Sequence, residues 1–436
     1  MKLFQQMLVA SAAASLIAPI TAQASDVMNL EGMNDYSGSK SSARIDSKTF
    51  INEVSEDIAT LKGRVDGLEA RQNNLEAGSF SDTTTLDGKA VFTVGGVEYS
   101  EDKTQSDLSE SVSAAYMYQL NLNTSFNGDD NLYVRLKAGN HDGNAANGKA
   151  WSVDKTFGGY LSAGNTNSDA VKVDKIWYTL PVDDQNTVYV GGKIENYYMH
   201  GTTPSIYQPV TKQFTLGGNG EAYGASTDSG IGWAYRGDNG FALSSNIVTK
   251  GNGSTSGVLT NQSKTSWATQ VGMTKEQYSV SAIVNVKANG WGDGYYEAGD
   301  ASGTSDGSAT HGNYTSIGLR AWWRPEDSGS ATPSVSLGYD TTSYDGSTAA
   351  TDNATAWFAG LSWNDLFQAD DKVGIAFGQP TTNESTTTDP FAYELYYSFK
   401  PNDSIEITPA VFGGSDRNGT AGDDIFGAVL QTTFKF

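Results

Sequence analysis

The chain is 436 residues long, has no cysteine and carries a formal net charge of −22. Without Cys there is neither a disulfide framework nor a thiolate metal site, and so acidic a chain is ill suited to gripping nucleic-acid phosphates. Glycine (49 residues) and aromatics (11%) are plentiful, while a mean hydropathy of −0.41, taken alone, reads as soluble.

The N-terminus reads otherwise. Lys2 precedes the apolar run LFQQMLVASAAASLIAPI, and Ala22-Gln23-Ala24 puts small residues at a cleavage position. Residues 1–24 therefore read as a secretory signal peptide cut after Ala24, with an uncleaved anchor helix as the alternative. No later stretch stays apolar over the roughly 18 residues a spanning helix needs. Residues 25–49 are polar and turn-rich, a linker.

Residues 50–77 change period. Ile51, Val54, Ile58, Leu61, Val65, Leu68, Gln72 and Leu75 recur at spacings of three and four. This is an a/d seam with Ile51, Ile58, Val65 and Gln72 at a. The g-to-e′ pairs Asp57 with Lys62, Arg64 with Glu69 and Arg71 with Glu76 are opposite in sign. They predict a parallel, oligomerising coiled coil; a single amphipathic helix lying on another surface is the alternative. Gly63 and Gly67 each cost about 1 kcal/mol relative to Ala, so this short coil needs the rest of the protein to bring chains together. β-branched a with Leu d leans towards dimers, whereas the body that follows points to three chains.

From residue 83 to 436 the period is two. Tyr116, Tyr118, Leu120, Leu122 and Thr124 share one face; Leu132, Val134, Leu136 and Ala138 share the next, with Tyr133, Arg135 and Lys137 between them. About sixteen such segments follow, each near the 9–11 residues with which a tilted strand crosses a bilayer. Short connections (near 127–130, 181–186, 237–240, 274–277, 400–403) alternate with long ones (near 139–170, 196–227, 288–312). Turns sorted to one rim and loops to the other predict an all-β, sixteen-stranded antiparallel transmembrane barrel facing outer-membrane lipid, preceded by the short coiled-coil helix. The final segment IFGAVLQTTFKF must then pair with the first, near Lys89 to Val94, because lipid cannot satisfy a sheet edge. Phe434 and Phe436 fall at the interfacial aromatic girdle. A terminal aromatic here is also similar to the assembly signal of outer-membrane proteins, which implies the barrel assembly machinery as a partner.

Two stretches, GLSWNDLFQADDKVGIAFGQP (360–380) and YELYYSFKPNDSIEITPAVF (393–412), closely resemble the carbohydrate-selective porin family. Within it, and with LKGRVDGLEA, they look most like the cyanobacterial porins often called iron-uptake porins. The resemblance implies a sixteen-stranded outer-membrane barrel, generally trimeric, that passes small solutes and inorganic ions passively. Such porins usually carry an S-layer-homology domain before the coil. Here MNLEGMNDYSGSKSSARIDSKTF runs almost straight into the heptads, which puts cell-wall contact in doubt.

No motif carries catalytic or cofactor chemistry. His141, His200 and His311 fall in long loops without ligand spacing and read as scattered surface histidines. NGDD and DDQN lack the spacing of a calcium loop and read as turns. The informative polar residues alternate with lipid-facing ones. Lys89, Arg135, Lys137, Lys175, Lys193, Lys287 and Arg320 point to the lumen, as do Glu394 and Glu406. A basic lumen favours anions, unless these are ordinary solvated residues of a wide channel. The Tyr-rich stretch 196–227 is expected to fold inward and narrow the passage, or to stay at the surface. The reading is a cofactor-free, trimeric outer-membrane porin giving passive diffusion of small hydrophilic solutes and inorganic ions, iron being implied by resemblance alone. The alternative within transport is a sugar-preferring channel with Tyr133, Trp177, Tyr189 and Trp322 as an aromatic track. The alternative of another class is a plugged, structural envelope protein linking outer membrane and cell wall.

Overall fold

A strand with lipid on one face and water on the other alternates apolar and polar residues, and its backbone can be satisfied only by neighbouring strands. The computed structural model describes Lys62 and residues 83–100, 112–141, 159–165, 167, 169–218, 220–223, 227–250, 257–258, 260–291, 312–327, 329, 331–345, 353–384 and 388–436. The signal peptide, the linker, His311 and all eight heptad positions of the coil lie outside the described residues.

Sixteen strands form: β1 (Thr84–Tyr99), β2 (Ser113–Thr124), β3 (Asn131–Gly139), β4 (Lys172–Pro181), β5 (Asn186–Ile194), β6 (Asp228–Arg236), β7 (Phe241–Thr249) and β8 (Thr265–Thr274) make one half. The other half is β9 (Tyr278–Ala288), β10 (Asn313–Trp323), β11 (Ser334–Asp345), β12 (Asn353–Asn364), β13 (Lys372–Asn383), β14 (Phe391–Asn402), β15 (Ile405–Ser415) and β16 (Ile425–Lys435). Each strand pairs with its sequence neighbours and β16 returns to β1, closing an antiparallel barrel as the alternation predicted. Closure removes the unpaired edge that hydrocarbon could not satisfy.

The seam runs from Lys89 opposite Lys435 to Tyr99 opposite Ile425, five rungs beyond Val94. The last residue is part of it: Phe436 N donates to Gly88 O at 3.1 Å and Gly88 N donates to Phe436 O at 2.8 Å. The Phe436 ring stacks on Tyr118 and Phe434 meets Phe92 edge-on. Deleting residues 434–436 is therefore expected to abolish the heat-modifiable, folded band on a detergent gel; an unaltered band would show that the seam closes without them.

Connections sort by rim. Five on one rim span 125–130, 182–185, 237–240, 275–277 and 403–404, and two longer ones 324–333 and 365–371; the opposite rim carries eight, including 140–171, 195–227 and 289–312. NGDD and DDQN are turns as expected. Asp130 accepts hydrogen bonds from Ser125 Oγ (2.8 Å), Phe126 N (2.8 Å), Asn127 N (3.0 Å) and Tyr178 OH (2.5 Å). The Tyr178 hydroxyl first, then the turn donors, hold its carboxyl well below the usual range. Along the strands the outer face is apolar and the inner face polar: on β10, Leu319 is 51% exposed and its neighbour Arg320 3%.

Candidate channel and its constriction

In the β5–β6 connection, the described residues 195–218 and 220–223 do not stay at the rim. They cross the inner faces of β7 to β14 in three short 3-10 turns, Asn196–Met199, Lys212–Gly217 and Glu221–Tyr223. Every section meets a polar wall residue. Asn196 Nδ2 donates to Asn246 Oδ1 (2.7 Å), Thr202 N to Gln270 Oε1 (3.0 Å), Ile206 N to Ser336 Oγ (3.2 Å) and Trp322 Nε1 to Thr203 O (3.1 Å). Inward polar residues on these strands thus satisfy the backbone of an irregular segment that lies inside the barrel.

Three wall groups bear on the loop most strongly. Glu394 on β14 accepts from Tyr207 OH (2.9 Å), Val210 N (3.1 Å), Thr211 N (2.8 Å) and Thr211 Oγ1 (2.6 Å). Arg320 pairs with Asp340 at 2.7 Å, donates Nε to Leu216 O at 2.8 Å and lies over the Tyr223 ring. Lys287 Nζ donates to Glu221 O at 2.6 Å, while Tyr344 OH donates to Glu221 Oε1 at 2.8 Å. Glycine permits the close approach, since a Cβ on Gly338 would stand 1.9 Å from Gly217 O. An apolar cluster of Tyr207, Val210 and Phe214 with Phe358, Tyr396 and Phe412 fills the space beneath. From the β3–β4 connection, Leu161 bridges to Thr211 and Ser162 N donates to Val210 O at 2.8 Å.

The sequence-derived candidates separate into three groups. Lys287, Arg320, Glu394 and Trp322 face inward but are buried beneath the docked loop. They hold the constriction and do not line open space, which corrects the pore-lining role read for them. Lys175 is buried as well and pairs with Glu195 at the start of the loop. Lys193 is a second correction. A bulge at Gly192 sets Lys193 opposite outward-facing Ile176, so its exposed side chain stands on the outer face and its Nζ donates to Val173 O. One extra residue in a strand inverts every face beyond it.

Lys89, Tyr133, Arg135, Lys137 and Glu406 form the third group, inward and half-buried on β1, β3 and β15. Arg135 pairs with Asp174, and Lys435 Nζ with Glu406 Oε2 at 2.8 Å. Lys89 and Lys137 make no ion pair or side-chain hydrogen bond among the described residues. Lys137 lies in the field of Arg135, Asp174, Lys212 and Lys175, and Lys89 in that of Arg135, Lys435 and Glu406. Lys212 and Lys372 add inward cations that alternation missed: one sits on the loop, the other at the first residue after a turn, where no preceding pair sets the face.

The aromatic candidates divide too. Tyr133 and Trp177 lie 4.3 Å apart between ring centres, Trp177 and Tyr198 4.8 Å, and Tyr198 and Tyr197 4.4 Å, a continuous file from β3 to the loop. Arg135 Nη1 donates to Tyr198 OH at 3.2 Å. Tyr189 accepts from Arg236 at 3.3 Å outside this file, and Trp322 anchors Thr203 instead. The two loop tyrosines were legible only as a Tyr-rich composition.

Two histidines expected at the surface are buried, His141 at 1% and His200 at 5% exposure. His141 Nε2 lies 3.0 Å from Thr93 Oγ1. In the loop, His200 Nδ1 accepts from Asn246 Nδ2 at 3.2 Å and its ring meets Tyr223 edge-on. Burial pushes the His200 imidazole down to about 3 from 6.5. A released loop would take up a proton near pH 6.5 that the docked loop refuses. Docking is thus fully favoured above pH 6.5 and weakens as pH falls towards 3. Amide exchange over 196–211, corrected for intrinsic rates, is expected to rise on acidification through that window in the wild type and to stay flat in His200→Gln. Among the described residues no cluster of three His, Asp or Glu side chains could hold a metal ion.

Comparison with known proteins fits this geometry. The family model "Carbohydrate-selective porin, OprB family" matches residues 43–436. An uncharacterised protein of Nostoc sp. is 29% identical over 433 residues, covering 88% of this chain and 71% of that one. The solved structure of Pseudomonas putida OprB overlays with a TM-score of 0.56 at 13% identity, covering 81% of this chain and 94% of that one. A loop-deletion mutant of OmpT, an outer membrane protein of Vibrio cholerae, overlays at 0.50 and 10% identity over 81% and 99% of the two chains. At such identities the overlays show the shared barrel fold, while the family match over nine-tenths of the sequence shows descent. A barrel of this type belongs to the outer membrane, and the chain is a member of the OprB family of carbohydrate-selective porins.

Proposed function

We propose that the protein is a passive outer-membrane channel for small hydrophilic solutes, with sugars favoured and inorganic ions admitted. The observation that carries this reading is the unbroken file Tyr133, Trp177, Tyr198 and Tyr197 beside Arg135 and Asp174. Ring faces give a sugar an apolar surface to slide along while neighbouring charges exchange hydrogen bonds with its hydroxyls. The docked loop supports size filtering, because it occupies the β7–β14 side and leaves Tyr133, Tyr197 and Tyr198 half-buried towards the remaining passage, with Trp177 buried between Tyr133 and Tyr198. Lys89 and Lys137, without an ion pair among the described residues, support anions over cations among the ions. Opposite-charge heptad flanks in residues 50–77 support a parallel homo-oligomer, in keeping with a homotrimer.

Reconstitution in planar bilayers tests this. Glucose or a short oligosaccharide is expected to reduce single-channel current reversibly, and Trp177→Ala to weaken that block severalfold with the open current retained. Current that sugars leave unchanged would remove the sugar preference. A barrel without conductance would replace the porin reading with that of a structural envelope protein.

A further inference from the structure

We propose that the lumen holds a binding subsite for a small oxyanion of the phosphate class, free or carried on a sugar, between the loop and the β13–β16 and β1 wall. The subsite rests on the channel reading for access to solute, but not for its chemistry. A polar recess of about 250 Å³ lies there, lined by Lys89, Lys372 and Lys435, by Glu406, and by Thr408 and Thr433. It is smaller than the ~300–1,000 Å³ sites that take drug-sized ligands, and it suits an ion with part of its hydration or one attached sugar.

The charge balance is what points to an anion. Three ammonium groups face one carboxylate. Glu406 is already engaged on both oxygens, by Ser398 Oγ at 2.8 Å and by Lys435 Nζ at 2.8 Å. Among the described residues Lys372 Nζ hydrogen-bonds a single neutral acceptor, Gln208 Oε1 of the loop, at 2.6 Å, and it lies in the field of Glu406 and Asp370 against Lys400 and Lys435. Lys89 has no side-chain partner among the described residues. Its field comes mainly from two further cations, Arg135 and Lys435, against the single Glu406. Two ammonium groups are thus left to a ligand from solution. The protein wall around the recess focuses their field on it.

The donors also fit an oxyanion in particular. Ammonium groups come from β1 and β13 and the Thr433 side chain from β16, so they border one volume from different strands, while the Thr408 hydroxyl on β15 already donates to Ser398 Oγ at 2.9 Å. A tetrahedral anion offers several oxygens to such a set, and bonds between charged partners are the strong ones. A neutral sugar would gain no comparable advantage here, and a cation would meet three like charges. Gln208 joins loop to recess, so occupancy of Lys372 by an anion competes with a loop contact.

Titration calorimetry on the detergent-solubilised full chain with inorganic phosphate tests the site without requiring conduction. Saturable binding is expected, with competition by sulfate. Lys89→Gln and Lys372→Gln are each expected to weaken it roughly tenfold, about 1.4 kcal/mol. Glu406→Gln is expected to tighten it, an opposite sign that a folding defect would not produce. Absence of saturable binding, or binding that none of the three substitutions changes, overturns the proposal. Repeating the titration with glucose 6-phosphate and with glucose separates the two sources: the phosphate alone suffices if the sugar phosphate binds no tighter, while neutral glucose is expected to leave the site empty. If phosphate binds but the reconstituted protein passes no current, the subsite stands and the channel reading falls. If current flows but phosphate neither binds nor blocks it, the reverse holds.

Discussion

A Glu394→Ala channel is expected to conduct more than the wild type, with noisier openings and less sugar block. The reason lies in what one carboxylate satisfies. Val210 N, Thr211 N, Thr211 Oγ1 and Tyr207 OH all donate to Glu394, in a setting where Val210, Thr211 and Tyr207 are buried. Removing the acceptor leaves four donors without water or partner, and each such group costs about 1–3 kcal/mol. The loop can recover that loss only by leaving the wall and exposing its donors to the aqueous lumen. Glu394→Gln retains one acceptor oxygen and turns a second donor against donors, so it is expected to lie between the two. Single-channel conductance together with amide exchange over 203–216 decides the matter. Wild-type current with wild-type protection in Glu394→Ala would mean that Arg320, Trp322 and the apolar cluster hold the loop alone.

The second large effect is expected at Asp340. Asp340→Ala leaves the Arg320 guanidinium 3% exposed without its counter-charge. Breaking one partner of a buried pair costs about 3–5 kcal/mol, whereas replacing both by apolar residues of similar size is often close to neutral. Arg320→Met with Asp340→Leu is therefore expected to recover most of the thermal stability that Asp340→Ala loses. It will not recover all of it, because Leu216 O loses its donor and Tyr223 its stacked cation. Thermal unfolding of the detergent-solubilised barrel, followed separately for the sheet and for the loop, checks both parts. If the double substitution is no better than Asp340→Ala, the pair's charge balance is not what limits stability. Gly338→Val provides a contact-based control. Its side chain would collide with Gly217 O, so it is expected to undock the loop without altering any charge.

Together these expectations assign separate tasks to residues that look alike in the sequence. Arg320, Lys287 and Glu394 are inward and charged, as are Arg135, Lys89 and Glu406. The first three are covered and hold the constriction; the second three remain in reach of solute. Two tryptophans, both 8% exposed, differ in partner: Trp177 lies in the Tyr133 file, while Trp322 bonds the backbone of Thr203.

The sequence by itself determined the barrel. Alternation with period two reports which face of a strand meets lipid, and loop lengths report which rim each connection occupies. Both signals are local, and neither needs knowledge of distant contacts. It also determined that the last strand must pair with the first, since a sheet edge in hydrocarbon has no other partner. Only the tertiary structure decided what covers the inner face. Glu394 meets Tyr207 across 187 positions of chain and Lys372 meets Gln208 across 164. No short-range pattern carries such separations. The structure alone also decided the face of Lys193, because a bulge of one glycine inverts the strand beyond it while leaving the alternation intact on either side. A face can be read from its neighbours in the chain, but burial depends on whatever else folds against it.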